Sequence, residues 1–168
     1  DLYWGGYVFQ KDLAPSMTNQ PDGFVGFLKD NLNDRNYLSY LGGGGGDIVN
    51  DIAILPGSTP LLTRAVLVGA TIEETDPAGG QGGNSFPTRP GAYQEDFQGG
   101  VIDAFVCVVT QVKNARLYLD YSSFLGGSGI DWAHSVRVYS DGQPRVVGFT
   151  TSSDFPATDY QGGGAGSS

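Results

Sequence analysis

Apolar and polar residues alternate in short runs along most of this chain, and clumps of glycine divide one run from the next. The clearest run is Leu61 to Thr75. Leu62, Arg64, Val66, Val68, Ala70 and Ile72 share one face; Leu61, Thr63, Ala65, Leu67 and Thr71 share the other. A period of two is that of a strand, and two largely apolar faces place it centrally in a sheet. Val101 to Val112 and Ala115 to Tyr121 read as consecutive antiparallel strands turning at Lys113-Asn114. Ser135 to Ser140 and Arg145 to Thr151 read as a hairpin around Asp141-Gly142-Gln143-Pro144, a strong turn signal. Asn36 to Leu41 and Ile48 to Leu55 are shorter extended runs, closed by five glycines and by Pro56-Gly57.

One segment has a different period. Pro21 to Asn33 sets Phe24, Phe27, Leu28 and Leu32 at helical spacing behind Asp22, which can cap the start, and predicts one short helix. Asp76 to Gln94 is the longest loop, stiffened by Pro77, Pro87 and Pro90. Seven to nine strands with one short helix predict an all-β fold, an antiparallel β-sandwich or jelly roll. It is expected as a single domain over residues 1–168, with an aromatic arm over 1–12 and a Gly/Ser-rich tail over 152–168. No fixed-period repeat is evident, because the glycine clumps are unevenly spaced.

Composition narrows the setting. Only 16% of residues are charged, below the usual quarter, so surface polarity rests on hydroxyls, amides and backbone. That suits secreted or assembled proteins. The net charge is −9, and the nine bases are scattered singly. A nucleic-acid partner needs a basic stripe, which the chain lacks. No apolar run approaches 18 residues, so membrane insertion is not expected. A first residue Asp1 in place of Met reads as a processed mature protein or an excised domain. The single cysteine, Cys107, lies in an apolar strand-like run and is expected to be buried.

Candidate chemistry is sparse. With one His and one Cys, zinc and iron sites are nearly excluded, and no cofactor is expected. Ca²⁺ is the one metal the acids could hold, at Glu73-Glu74-Thr75-Asp76 or at Asp154 with Asp159, although no Asp-x-Asp-x-Asp-Gly loop is present. His134, Ser135 and Asp154 are the candidate catalytic residues, since a histidine between a serine and a carboxylate can activate the hydroxyl. Two neighbours in one strand point to opposite faces, which opposes a His134–Ser135 pair. Gly126-Gly127-Ser128-Gly129 reads as a flexible loop. The adjacent His-Ser with a later Asp resembles a constellation in the projecting domains of some insect picorna-like virus capsid proteins. The resemblance covers His134, Ser135 and Asp154 alone, and implies a hydrolase-like projecting domain.

Aromatic residues carry the main binding signal. Tyr3, Trp4, Tyr7 and Phe9 crowd the N-terminus beside Gly5-Gly6, and are expected to reach beyond the domain. Phe86, Tyr93 and Trp132 are the other expected ligand or interface anchors, since such rings anchor interfaces and stack on sugars. The leading expectation is a non-enzymatic assembly subunit of an extracellular or virion particle, such as a capsid, projection or surface-fibre domain. Its partners would be copies of itself or a larger assembly. A carbohydrate-binding module is the second reading, and a Ser/His/Asp hydrolase the third.

Overall fold

The computed structural model describes residues 20–28, 35–59, 62–73, 86–112 and 117–158. Eight strands follow in order: β1 Gly23–Leu28, β2 Arg35–Leu41, β3 Asp47–Ile54, β4 Leu62–Ile72, β5 Ile102–Val112, β6 Leu117–Leu125, β7 Asp131–Val138 and β8 Pro144–Thr150. All pairings between them are antiparallel. β3-β4-β5-β6 form one sheet, and β1-β2 and β7-β8 are two-stranded.

The architecture is an all-β sandwich. β4 is central, as its two apolar faces require, and each face feeds a different core. Ala65 and Leu67 pack with Val25 and Leu41 of the first hairpin and with Phe105, Cys107 and Phe124. Val66 and Val68 pack with Ala104 and with Ala133 and Val136 of the last hairpin. The four-stranded sheet thus carries one hairpin on each face. At roughly 25 cal/mol per Å² of apolar surface buried, these two layers supply the main drive for folding.

The helix expected over Pro21 to Asn33 is not formed: Gly23–Leu28 is strand β1, and residues 29–33 lie outside the described residues. The segment also satisfies a strand template. Gly23, Val25 and Phe27 turn inward, and Phe24, Gly26 and Leu28 turn outward. Gly23 and Gly26 disfavour a helix, and pairing with β2 decides the matter. The described residues hold no helix.

A repeat that the glycine spacing conceals emerges from the strand registers. Leu41-Gly42-Gly43 leads to Asp47, and Leu125-Gly126-Gly127 leads to Asp131, an offset of 84 residues (131 less 47). Around these corners the pairing is the same. Gly23 faces Leu41 and Phe24 faces Tyr40, as Ala104 faces Leu125 and Phe105 faces Phe124. Asp47 faces Thr71 and Val49 faces Gly69, as Asp131 faces Thr150 and Ala133 faces Gly148. A bulge follows at the matching place, between Val49 and Asp51 and between Ala133 and Ser135. Gly69 and Gly148 are required there, since a Cβ on either would collide with the carbonyl of Ile48 or Trp132 respectively. The fold is two successive copies of a hairpin–corner–hairpin unit, β1–β4 and β5–β8. The uneven glycine spacing misled because glycines outside the corners mask the two that match.

Candidate functional site

Each corner is built on a pair of aspartates. In the second unit Asp103, at the start of β5, and Asp131, at the start of β7, are fully buried. Gln98 N–H donates to Asp103 Oδ2 at 2.6 Å, and Gly127 N–H donates to Asp131 Oδ2 at 2.8 Å. Burial first, then the charge of Asp131, pushes the Asp103 carboxyl up to about 7, against the Gln98 bond. In the first unit Asp22 and Asp47 stand in the same places. Gly43 N–H donates to Asp47 Oδ2 at 2.7 Å, and burial, with a smaller push from Asp22, raises the Asp47 carboxyl to about 6. Buried Oδ1 atoms of Asp47, Asp103 and Asp131 meet no hydrogen-bond donor. Protonating Asp103 or Asp47 removes the repulsion from the neighbouring carboxylate.

The Gly126–Gly129 loop is not the slack segment expected. Its successive N–H groups are each taken by a side chain. Gly127 bonds Asp131, Ser128 bonds Asp154 Oδ1 at 2.9 Å, and Gly129 bonds Ser152 Oγ at 2.8 Å. Gln94 closes the loop with two bonds to Gly126, at 2.9 and 3.0 Å. Residues 152–154, expected as the start of a tail, are therefore part of the folded body. Residues 159–168 lie outside the described residues.

The catalytic constellation does not assemble. Ser135 Oγ donates to Asp51 Oδ2 at 2.6 Å, and Asp51 also accepts from Val136 N–H at 3.0 Å and Arg137 Nη1 at 2.8 Å. Those bonds, Ser135 first, hold the Asp51 carboxyl well below the usual range and tie β3 to β7. Asp154 is occupied by Ser128, which lowers its carboxyl. His134 is the bulge residue of β7, and its ring lies against Phe149 at 5.6 Å and Trp132 at 6.3 Å. Ser135 and Asp154, two of the three residues behind the resemblance, are thus each bonded to a partner other than His134. The bulge at His134 overrides simple alternation: Ser135 pairs with the outward Val147, so His134 and Ser135 both lie on the outer side of β7.

What β7 and β8 do present is an aromatic face. Trp132 and Phe149 are cross-strand partners with rings 6.5 Å apart and within 7° of parallel. Phe149 is 47% exposed, and Val147, two residues away on the same face, is 62% exposed. The alternation of β8 explains this: Val146 turns into the core, so Val147 and Phe149 turn out. Beside the two rings runs a cleft of about 230 Å³ lined by Ala104, Leu125, Ala133, Val146 and Phe155. Trp132 stands out in the sequence as a candidate anchor; Phe149 and Val147 do not. The signal for them was the β8 alternation opposite Trp132.

The other expected anchors divide. Tyr93 is exposed, while Phe86 is only 3% exposed and stacks on Phe105 at 4.5 Å, so its work is inside the core. Tyr3, Trp4, Tyr7 and Phe9 lie outside the described residues, as do Glu74, Thr75, Asp76 and Asp159. Among the described residues no three metal-ligating side chains gather. Cys107 is buried, its thiol pushed up to about 12 by burial and set 3.1 Å from Ser122 Oγ. No helix of the described residues is long and apolar enough to cross a membrane. No family model, no curated protein and no solved structure matches the chain.

Proposed function

We propose that this protein is a non-enzymatic recognition and assembly subunit of an extracellular or virion particle. One observation carries the reading: the outer face of β7-β8 exposes Val147 and Phe149 on a paired hairpin, with the half-buried Trp132 ring stacked beside Phe149. Exposed aromatic rings on a stiff scaffold lose little entropy on docking, which is the property of an interface anchor. With only 16% of residues charged, few charged side chains need lose water when copies pack. A second reading, glycan binding, has its own support in the near-parallel Trp132 and Phe149 rings, a flat surface on which a sugar can stack.

The test is sedimentation of the parent and of a Trp132→Ala/Phe149→Ala variant across a concentration series. Assembly through this face predicts association weaker by roughly 2–4 kcal/mol in the variant. Identical mass distributions in a folded variant would remove the face from assembly. Loss of binding to soluble oligosaccharides in the same variant, with mass unchanged, would favour the glycan reading.

A further inference from the structure

The two units differ in what covers the face of their first hairpin that is turned away from their second hairpin; in the second unit that face is core. In the second unit Phe105 and Phe124 stand side by side on β5 and β6. Phe86 stacks on Phe105 at 4.5 Å, and Phe97 meets Phe124 edge-on at 5.8 Å. Both rings belong to the stretch directly ahead of β5. That stretch is bonded along β6, the last strand of its sheet: Arg89 N–H donates to Ser122 O and Phe124 N–H to Gln94 O, both at 3.0 Å.

The matching face of the first unit carries Phe24 opposite Tyr40, with Leu28 and Leu38 alongside. Phe24, Leu28 and Leu38 are 67%, 57% and 53% exposed, and β2 is likewise an edge strand. Directly ahead of β1 runs the segment over residues 1–19, outside the described residues. Phe86 stands 18 residues ahead of Ala104 (104 less 86), and the same distance ahead of Gly23 falls at Gly5, between Trp4 and Tyr7. Leu2 to Phe9 contains no charged residue, so nothing in it opposes burial on an apolar surface.

We propose that the aromatic segment Leu2 to Phe9 docks on the Phe24–Leu28–Leu38 face of its own chain, as the stretch ahead of β5 docks on β5 and β6. In the second unit the β1-β2 hairpin covers part of this face through Val25 and Leu41, but the edge strand β6 is paired by the stretch ahead of β5. β2 is the matching edge, and the chain's own segment ahead of β1 is the matching occupant. This replaces the expectation that the segment reaches beyond the domain. It goes beyond the assembly reading, which rests on β7 and β8.

The two tryptophans make the test direct. A Trp132→Phe variant leaves Trp4 as the sole indole. Its emission should be blue-shifted and shielded from iodide, and should not change when the protein is diluted. Adding Phe24→Ser and Leu38→Gln, both at exposed positions, should return Trp4 to solvent-like emission while a cooperative urea transition persists. Leu38→Gln alone serves if the combined variant fails to fold. Deleting residues 1–12 should raise binding of an apolar dye, and the two polar substitutions should abolish that rise. Solvent-like Trp4 emission before the face is altered would overturn the proposal, and so would emission indifferent to Leu38→Gln. A blue shift lost on dilution would also overturn it, because the segment would then be docking on a second copy.

Discussion

Replacing Asp103 with Asn should make the protein's stability less sensitive to pH, in a direction fixed by the corner it occupies. Burial and Asp131 raise the Asp103 carboxyl from 3.8 to about 7. Between those values the native state holds a proton that the unfolded chain has released. Stability contributed by this site therefore falls as pH rises through the window, and stays low above it. Each tenfold gain in proton affinity on folding is worth about 1.4 kcal/mol, so a gain of about a thousandfold sets a ceiling of about 4 kcal/mol; relaxation around the ionised pair brings the expected loss to about 2–4 kcal/mol. Asn mimics the protonated form. Its carbonyl can still accept from Gln98 N–H, and it brings no second negative charge beside Asp131. Urea unfolding of parent and variant at pH 5 and pH 8, with equal slopes, isolates the effect of this corner, since Asp47 and the acids away from it are the same in both. About two of the roughly three pH units of that window lie between pH 5 and pH 8, so the variant should gain about 1–3 kcal/mol on the parent between the two conditions. A difference that is flat with pH, or grows toward acid, would refute the paired-carboxyl account of the corner.

Two further substitutions probe the frame around the aromatic face. Asp51→Ala removes the acceptor for Ser135, Val136 and Arg137 and should cost about 1–3 kcal/mol at neutral pH by urea unfolding. Because the Asp51 carboxyl is depressed, the gap between parent and variant should narrow as pH falls toward its native value. Gly148→Ala forces a Cβ into the Trp132 carbonyl across the bulge and should cost about 1–3 kcal/mol, with altered near-ultraviolet dichroism from Trp132; an unchanged melting temperature would show that the bulge is not needed to set the ring.

Much of the fold was legible in the sequence because strands announce themselves locally. The two-sided apolar run of β4, the turn at Asp141 to Pro144 and the closing glycines each follow from a period or a backbone preference within a few residues. Segment 23–28 was not legible. Phe24, Phe27 and Leu28 fit a helical face and a strand equally, and only the partner strand, reached through the fold, separates them. The candidate site was legible in one residue of three. Trp132 draws notice as a rare ring, whereas Phe149 and Val147 gain their role from a register no local pattern reveals. The aspartate pairs were invisible for the same reason, since Asp103 and Asp131 stand far apart in the chain and meet through two strand starts.

The repeated unit separates what the fold needs from what the protein presents. In both copies the corner keeps its aspartate pair, its Gly-Gly bond to the second aspartate, its bulge and its opposing glycine. These parts share one mechanical task, turning the chain from one layer of the sandwich to the next while leaving few backbone groups unmet in the interior. The face of the second hairpin differs between the units, because in the first unit it is turned into the molecule, with Ala70 fully buried, and in the second it meets solvent. The bulge residue is Asn50 in one unit and His134 in the other; Ile48 and Ala70 hold the cross-strand places that Trp132 and Phe149 take. Asn50 spends its amide inside the molecule, donating to Ala133 O at 2.7 Å. His134 is itself exposed and lies against the exposed Phe149 ring and the half-buried Trp132 ring. The unit whose hairpin faces solvent is the one furnished with aromatic residues, and packing within the domain gives no reason for placing them there. That asymmetry between otherwise matching units is the physical ground for seeking the protein's contacts on β7 and β8.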